Sequence, residues 1–304
     1  MRLFDSHCHI SDGRYADRIE ELAEEIRAAG VERLVDIGTD LESSESCVRM
    51  AKRFDFCYAA VGFFPSETTG LTEEDLERLR QLSREPRVVA IGEIGLDYHY
   101  DDTDKPSQQH WFRRQIELAI EEDKTIIVHS RDADDDTLRI LRESGAFSKE
   151  RTGRFPPKPD GRPDARVLLH CYSGSAELAR TYEKLGASIS LAGPVTFKNA
   201  RRSVEVAQAA DIRDLLVETD APYLTPVPFR GQLNKPSYVR YTAEKIAEIR
   251  GNSLEYIAEQ TYLNACRVFG LEPDGNVASG GAQEGSAIGA SGAPELGSPI
   301  TDER

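Results

Sequence analysis

The stretch "DRIEELAEEIRAAGVERLVDIGT", residues 17–39, changes its period midway. Its first half places Ile19, Leu22, Ala23 and Ile26 on one helical face and stops at Gly30, a residue suited to the left-handed turn that ends a helix. Its second half, Arg33–Thr39, is a short β-rich run bounded by turn residues. A helix feeding a strand at this spacing is part of a parallel β/α repeat, because parallel neighbours need a crossover and the usual crossover is a helix.

The repeat extends in both directions. Further β-rich runs occupy Leu3–Ile10, Phe56–Phe64, Val88–Leu96, Thr125–Ser130, Ala165–Tyr172, Ala187–Ala192 and Asp214–Thr219, each followed by a helix-compatible segment. Eight such units predict an α/β fold, a single (β/α)8 TIM barrel over residues 1–271, with no second domain. Two stretches fall outside the repeat. Residues 145–164, "GAFSKERTGRFPPKPDGRPD", carry four prolines and five basic residues, and are expected to form a solvated surface insertion at the end of the barrel opposite the catalytic mouth. Residues 272–304, rich in Gly, Ala and Ser, are expected to be a disordered acidic tail.

Composition sets limits on partners. No apolar run reaches the roughly 18 residues of a membrane span, and the chain does not open on a charged-then-apolar leader, so a cytoplasmic protein without a membrane partner is expected. Nothing in the sequence requires an oligomer, and a monomer is expected. Five scattered cysteines without Cys-x-x-Cys spacing indicate neither a disulfide framework nor a zinc ribbon. A net charge of −15 argues against capture of nucleic acid by a bulk positive field, while leaving a local site open.

Two of the chain's six histidines stand in "LFDSHCHI", residues 3–10. On an extended strand Asp5, His7 and His9 share one face, opposite Phe4, Ser6, Cys8 and Ile10. Taken alone, a His-x-His pair is weak as a metal signal. Strand ends elsewhere supply partners: Glu93 in "VVAIGEIGLD", His129 after "TIIV", His170 after "VLL" and Asp220 in "ETDAPYL". In a (β/α)8 barrel these ends converge on one mouth. Four imidazoles and two carboxylates form a mixed N/O set suited to divalent ions such as Zn, Mg or Mn. Six ligands exceed one open tetrahedral site and match two metals sharing a carboxylate, for which Glu93 is the expected bridge. Asp220 is expected to coordinate and to act as general base. Asp5 has two open roles, as a prop for an imidazole or as a buried group bonded to backbone. Arg230 and Lys198, in the loops after the last two strands, are expected to bind substrate phosphate. Tyr98, His99, Tyr100, Tyr223 and Phe229 are placed either to stack on bases or to pack their own loops.

The motifs "DSHCHI", "IGEIGLDY", "VHSR", "LLHCYSGS", "PVTFKNA", "ETDAPYLTP" and "RG"/"NKP" occur in this order over residues 2 to about 270. In them the chain resembles the TatD family of metal-dependent deoxyribonucleases, a branch of the amidohydrolase-like barrels. The resemblance implies His7, His9, Glu93 and Asp220 around one ion, and Glu93, His129 and His170 around the other. It also implies exonucleolytic hydrolysis of DNA, as single strands or strand ends. One departure is Phe64 in "VGFFPSE", where the family usually carries histidine in Gly-x-His-Pro. The competing function is hydrolysis of a small ester, lactone or amide by the same activated water. Arg230, Lys198 and the loop aromatics favour phosphate and bases. A barrel kept only for binding would be marked by a missing ligand, and none is missing.

Overall fold

A computed structural model describes residues 1–273. Nearly all of the expected tail, 272–304, lies outside the described residues. Strands β1 (Leu3–Cys8), β2 (Val31–Ile37), β3 (Cys57–Val61), β4 (Val88–Asp97), β5 (Thr125–Arg131), β6 (Val167–Leu169), β7 (Ser188–Leu191) and β8 (Leu215–Val217) form one parallel sheet in sequential order. The intervening helices are α1 (Ile19–Ala28), α2 (Leu41–Arg53), α3 (Glu73–Ser83), α4 (Lys105–Glu121), α5 (Asp134–Glu143), α6 (Lys149–Thr152), α7 (Ala176–Lys184) and α8 (Arg201–Ala209). After β8 come α9 (Val239–Arg250) and α10 (Leu254–Phe269). The expected (β/α)8 barrel is the fold. Between β1 and β8 the ring is drawn together at the mouth, where His9 N–H donates to Ala221 O at 2.7 Å and Asp220 N–H to His7 O at 2.9 Å.

Alternation sorts the apolar residues into two shells. Phe4, Val35, Tyr58, Ala90, Ile127, Leu168 and Leu216 fill the barrel interior. A larger cluster, including Leu34, Val61, Ile126, Val167 and Val217, lies between sheet and helices. The end of the barrel away from the mouth is stoppered by α10, whose Tyr262 and Phe269 rings lie 6.0 and 5.7 Å from that of Phe4. Burying each such ring contributes about 1.5–3 kcal/mol.

Three expectations need revision. Strands β6, β7 and β8 are shorter than the apolar runs that announce them. Cys171 and Asp220 take positive φ, 43° and 54°, and a residue in that region cannot continue a strand. The shared face of Asp5, His7 and His9 also fails: Phe4 points to the interior, and His7 reaches the same axis three residues later. The β1–β2 register slips between Asp5 and Cys8, and such irregularities re-aim side chains.

The third revision concerns 145–164. Most of this segment is exposed, as expected, but it contains α6 and buries two of its basic side chains. Arg151 donates to the carbonyls of Lys124 (2.8 Å) and Ala165 (3.2 Å). Lys158 Nζ lies 2.5 Å from Asp214 Oδ1 and 2.9 Å from Ala187 O. These donors satisfy main-chain acceptors where strands begin, so the segment is built into the floor of the barrel.

Candidate metal centre

On β5, and just past the ends of β6 and β8, inward-facing polar groups succeed the interior core toward the mouth. Ile127 is followed inward by His129, Leu168 by His170, and Leu216 by Glu218 and then Asp220. Strand β4 needs a register slip, which falls between Ile91 and Ile94 and turns Glu93 inward. Two strands with such slips and three regular ones therefore aim their polar groups at one point. Close approach of β4 to β5 is permitted by Gly95, at φ 144°, where a Cβ would collide with the His129 carbonyl oxygen.

All six expected ligands meet there. Glu93 lies at the centre: its Oε1 is 2.7 Å from His170 Nε2 and 2.8 Å from His129 Nδ1, and its Oε2 is 3.4 Å from His7 Nε2. Asp220 Oδ1 is 3.5 Å from His9 Nε2 and 3.6 Å from His7 Nε2. Three overlapping groups, His7/His9/Glu93, Glu93/His129/His170 and His7/His170/Asp220, each bring their donor atoms within 4.8 Å of one another.

Two observations fit this cluster to a cation. First, the buried Nε2 of His7 points into it with no hydrogen-bond partner among the described residues, an unmet demand that is rare for an imidazole at 0% exposure. Second, the carboxylates draw protons onto neighbouring rings. Burial opposes charge on His170, yet Glu93 and Glu218 hold it well above the ordinary imidazole value. Burial likewise opposes charge on His9, and Asp220 with Glu93 lifts it to about 9. Burial disfavours the Glu93 anion, but His170, His129 and His7 keep it well below the carboxylate range. His7 moves the other way, lowered by burial and by His170, whose ring stacks on it at 3.8 Å. The cluster favours positive charge, and His7 offers a neutral nitrogen to it.

Three neighbouring residues escaped the sequence reading. Asp97 Oδ2 lies 3.1 Å from His129 Nε2, which fixes the ring so that Nδ1 faces Glu93. Glu218 Oε1 lies 3.4 Å from His170 Nδ1, and the carboxylate accepts from Cys171 N–H (2.7 Å) and Ser190 Oγ (2.5 Å). Arg131 is, among the described residues, the one Lys or Arg lining the cleft of about 820 Å³ over the centre. The signal was present: Arg131 stands two residues beyond His129, Glu218 two before Asp220, and Asp97 four beyond Glu93, even spacings that favour one strand face.

Other expectations divide. Asp5 takes the backbone role, accepting from Thr219 N–H at 2.9 Å and Thr219 Oγ1 at 2.5 Å. Tyr100 and Tyr223 line the cleft, as does Phe64, whose ring meets His129 edge-on at 4.7 Å. Phe229 stacks on Tyr238 at 4.4 Å and packs its own loop, while Tyr98 Oη is tied to Asp136 and His99 to Asp132. Lys198 and Arg230 line a separate hollow beside the cleft.

With this geometry in view, comparison with known proteins is informative. Residues 4–270 match the family model for TatD related DNase. The uncharacterized metal-dependent hydrolase YabD of Bacillus subtilis (strain 168) is 44% identical over 267 residues, covering 88% of this chain and 98% of YabD. The 3'-5' ssDNA/RNA exonuclease TatD of Cronobacter sakazakii is 31% identical, over 88% of this chain and 97% of that protein. The crystal structure of YJJV, a TatD homolog from Escherichia coli K12, superposes with a TM-score of 0.79 at 28% identity, covering 89% and 99% of the two chains.

Proposed function

The chain belongs to the TatD related DNase family, and on that premise we propose that it is a metal-dependent hydrolase that removes nucleotides from single-stranded DNA or strand ends. The observation that carries this reading is the convergence of four imidazoles on two carboxylates, with Glu93 common to two of the three donor groups. His7, His9, Glu93 and Asp220 would hold one divalent ion, and Glu93, His129 and His170 a second. The imidazole-rich set favours zinc over magnesium.

Bound ions of this kind acidify a water and neutralise charge on a phosphate. The chain's own residues supply the rest. Asp220, on the cleft surface, is positioned to take the proton of the attacking water. Arg131 would meet a non-bridging phosphate oxygen, a charge-assisted contact that a neutral ester or lactone does not repay. Phe64, Tyr100 and Tyr223 offer aromatic surface to a base. Asp97 holds His129 in the orientation that presents Nδ1 to Glu93, and the Glu218 carboxylate lies 3.4 Å from His170 Nδ1.

The test incubates purified protein with end-labelled single-stranded DNA and, separately, with a panel of small esters and lactones, each with zinc, manganese or magnesium. Nucleotide release that disappears in Glu93→Gln and Asp220→Asn supports the proposal. Release that survives both substitutions belongs to a contaminant. Hydrolysis confined to the small substrates replaces the proposal with the competing function.

A further inference from the structure

Beside the main cleft, the loops after β7 and β8 enclose a hollow of about 610 Å³. Its walls include Phe197, Lys198, Asn199, Val227 and Arg230, and among the described residues no carboxylate lines it. The main cleft differs: among the described residues Asp12, Glu67, Glu93, Asp97 and Asp220 line it with the histidines of the centre and a single Arg, Arg131. In a chain of net charge −15, an acid-free hollow with two cations is a local reversal of sign.

Both cations are unspent. Neither Lys198 nor Arg230 has an ion-pair or side-chain hydrogen-bond partner among the described residues. The Arg230 guanidinium sits over the Phe197 ring, its carbon 3.9 Å from the centroid. A cation–π contact of this kind orders the guanidinium without using up its N–H donors, which stay available to a phosphate. The hollow neighbours the metal cleft across a single loop. Leu224 lines the cleft and Val227 the hollow, three residues apart on one loop that is pinned by Val227 N–H donating to Thr196 Oγ1 at 2.9 Å. Leu224 and Val227 are 37% and 43% exposed, apolar surface between two places that attract phosphate.

We propose that this hollow is a second phosphate subsite, filled by the backbone of the same single strand whose end reaches the metal centre, with bases lying over Leu224 and Val227. The inference rests on the nuclease reading and sharpens it: the substrate is an oligonucleotide several residues long, held at a phosphate remote from the scissile one.

The test compares holoenzyme with the Lys198→Ala/Arg230→Ala variant and the charge-conserving K198R/R230K on oligothymidylates two and ten nucleotides long. Wild type should favour the ten-mer. In the alanine variant its KM should rise about ten-fold or more with kcat held, collapsing the length preference, and K198R/R230K should restore much of it. Binding of fluorescent ten-mer to the Glu93→Gln protein gives a second readout. Each phosphate contact on a single strand contributes about 0.7 to the slope of log affinity against log salt, so loss of two should flatten it by about 1.4. Unchanged length preference with an unchanged salt slope overturns the subsite. So does an equal loss of kcat on both lengths, since the residues would then be supporting the metal centre. If wild type cleaves no DNA while the salt slope still falls in the variant, the nuclease reading fails and the hollow stands as a polyanion site. If neither is seen, both fail.

Discussion

Replacing Asp97 tests whether the centre is organised as the geometry indicates. Its Oδ2 lies 3.1 Å from His129 Nε2, while Nδ1 of the same ring lies 2.8 Å from Glu93 Oε1. An imidazole that donates from Nε2 keeps its lone pair on Nδ1, so Asp97 selects the tautomer able to bind a cation. Asp97 also accepts from His99 N–H at 3.0 Å, which fixes the carboxylate before any metal arrives. A charge-assisted hydrogen bond of this kind contributes about 1.5–3 kcal/mol. Transmitted to the ion, that corresponds to a loss of roughly 10- to 100-fold in metal affinity, the range found for outer partners of ligating histidines. Asp97→Ala should show the full loss in a competition titration of zinc or manganese against a fluorescent chelator. Asp97→Asn, which keeps an acceptor of the same shape but no charge, should fall between. Thermal unfolding of the chelator-treated protein separates this effect from misfolding and should move little. Metal affinity within two-fold of wild type in Asp97→Ala would refute the tautomer argument.

Other consequences are open to measurement. Arg131→Ala should lower kcat/KM for single-stranded DNA by about 10- to 100-fold through loss of one charged contact, and Arg131→Lys should recover part of it; equal turnover in all three removes Arg131 from the substrate. Lys158→Met leaves Asp214 with Arg162 at 2.6 Å but without its buried ammonium partner, and should cost about 3 kcal/mol, read as a lower urea midpoint at constant m-value. Glu183 is raised by burial from the ordinary 4.5 to about 7, so the folded chain holds this proton more tightly than the unfolded chain does. Its contribution therefore becomes unfavourable as pH climbs from about 4.5 through 7. Glu183→Gln should raise the urea midpoint more at pH 8 than at pH 5, and an equal gain at both would contradict the assignment.

What the sequence disclosed follows the reach of its periodicities. The steps from Ile127 to His129 and from Leu168 to His170 follow local alternation, and Asp220 closely follows the short apolar run of β8, so these ligands are readable as strand-end groups of a barrel. Where the register slips, around His7 and Glu93, the two-residue rule assigns the wrong face to Phe4 and Asp5, and only the packed sheet shows which side chain turns inward. Lys158 illustrates a second limit. A proline-rich basic stretch reads as solvated, whereas its burial is decided by Asp214, 56 positions away, and by carbonyls at the floor of the barrel. Loops impose the third. Lys198 and Arg230 are correctly marked as cations near the mouth, but no period governs a loop's path, and their separation from the metal cleft appears only in three dimensions.

The hydrogen bonds joining His9 to Ala221 and Asp220 to His7 have a consequence for the order in which the protein comes into being. The first and last strands of the barrel meet through the residues proposed to bind metal, so the centre is divided between the beginning and the end of the barrel sequence. A ribosome that has made six or seven strands holds a chain with His7, His9 and Glu93 but without Asp220. The emerging polypeptide can collect apolar contacts strand by strand, yet it completes its centre only after residue 221 has cleared the exit tunnel. The proposed centre therefore waits on the eighth strand, and a nascent chain that stops before Asp220 lacks one of its six proposed ligands.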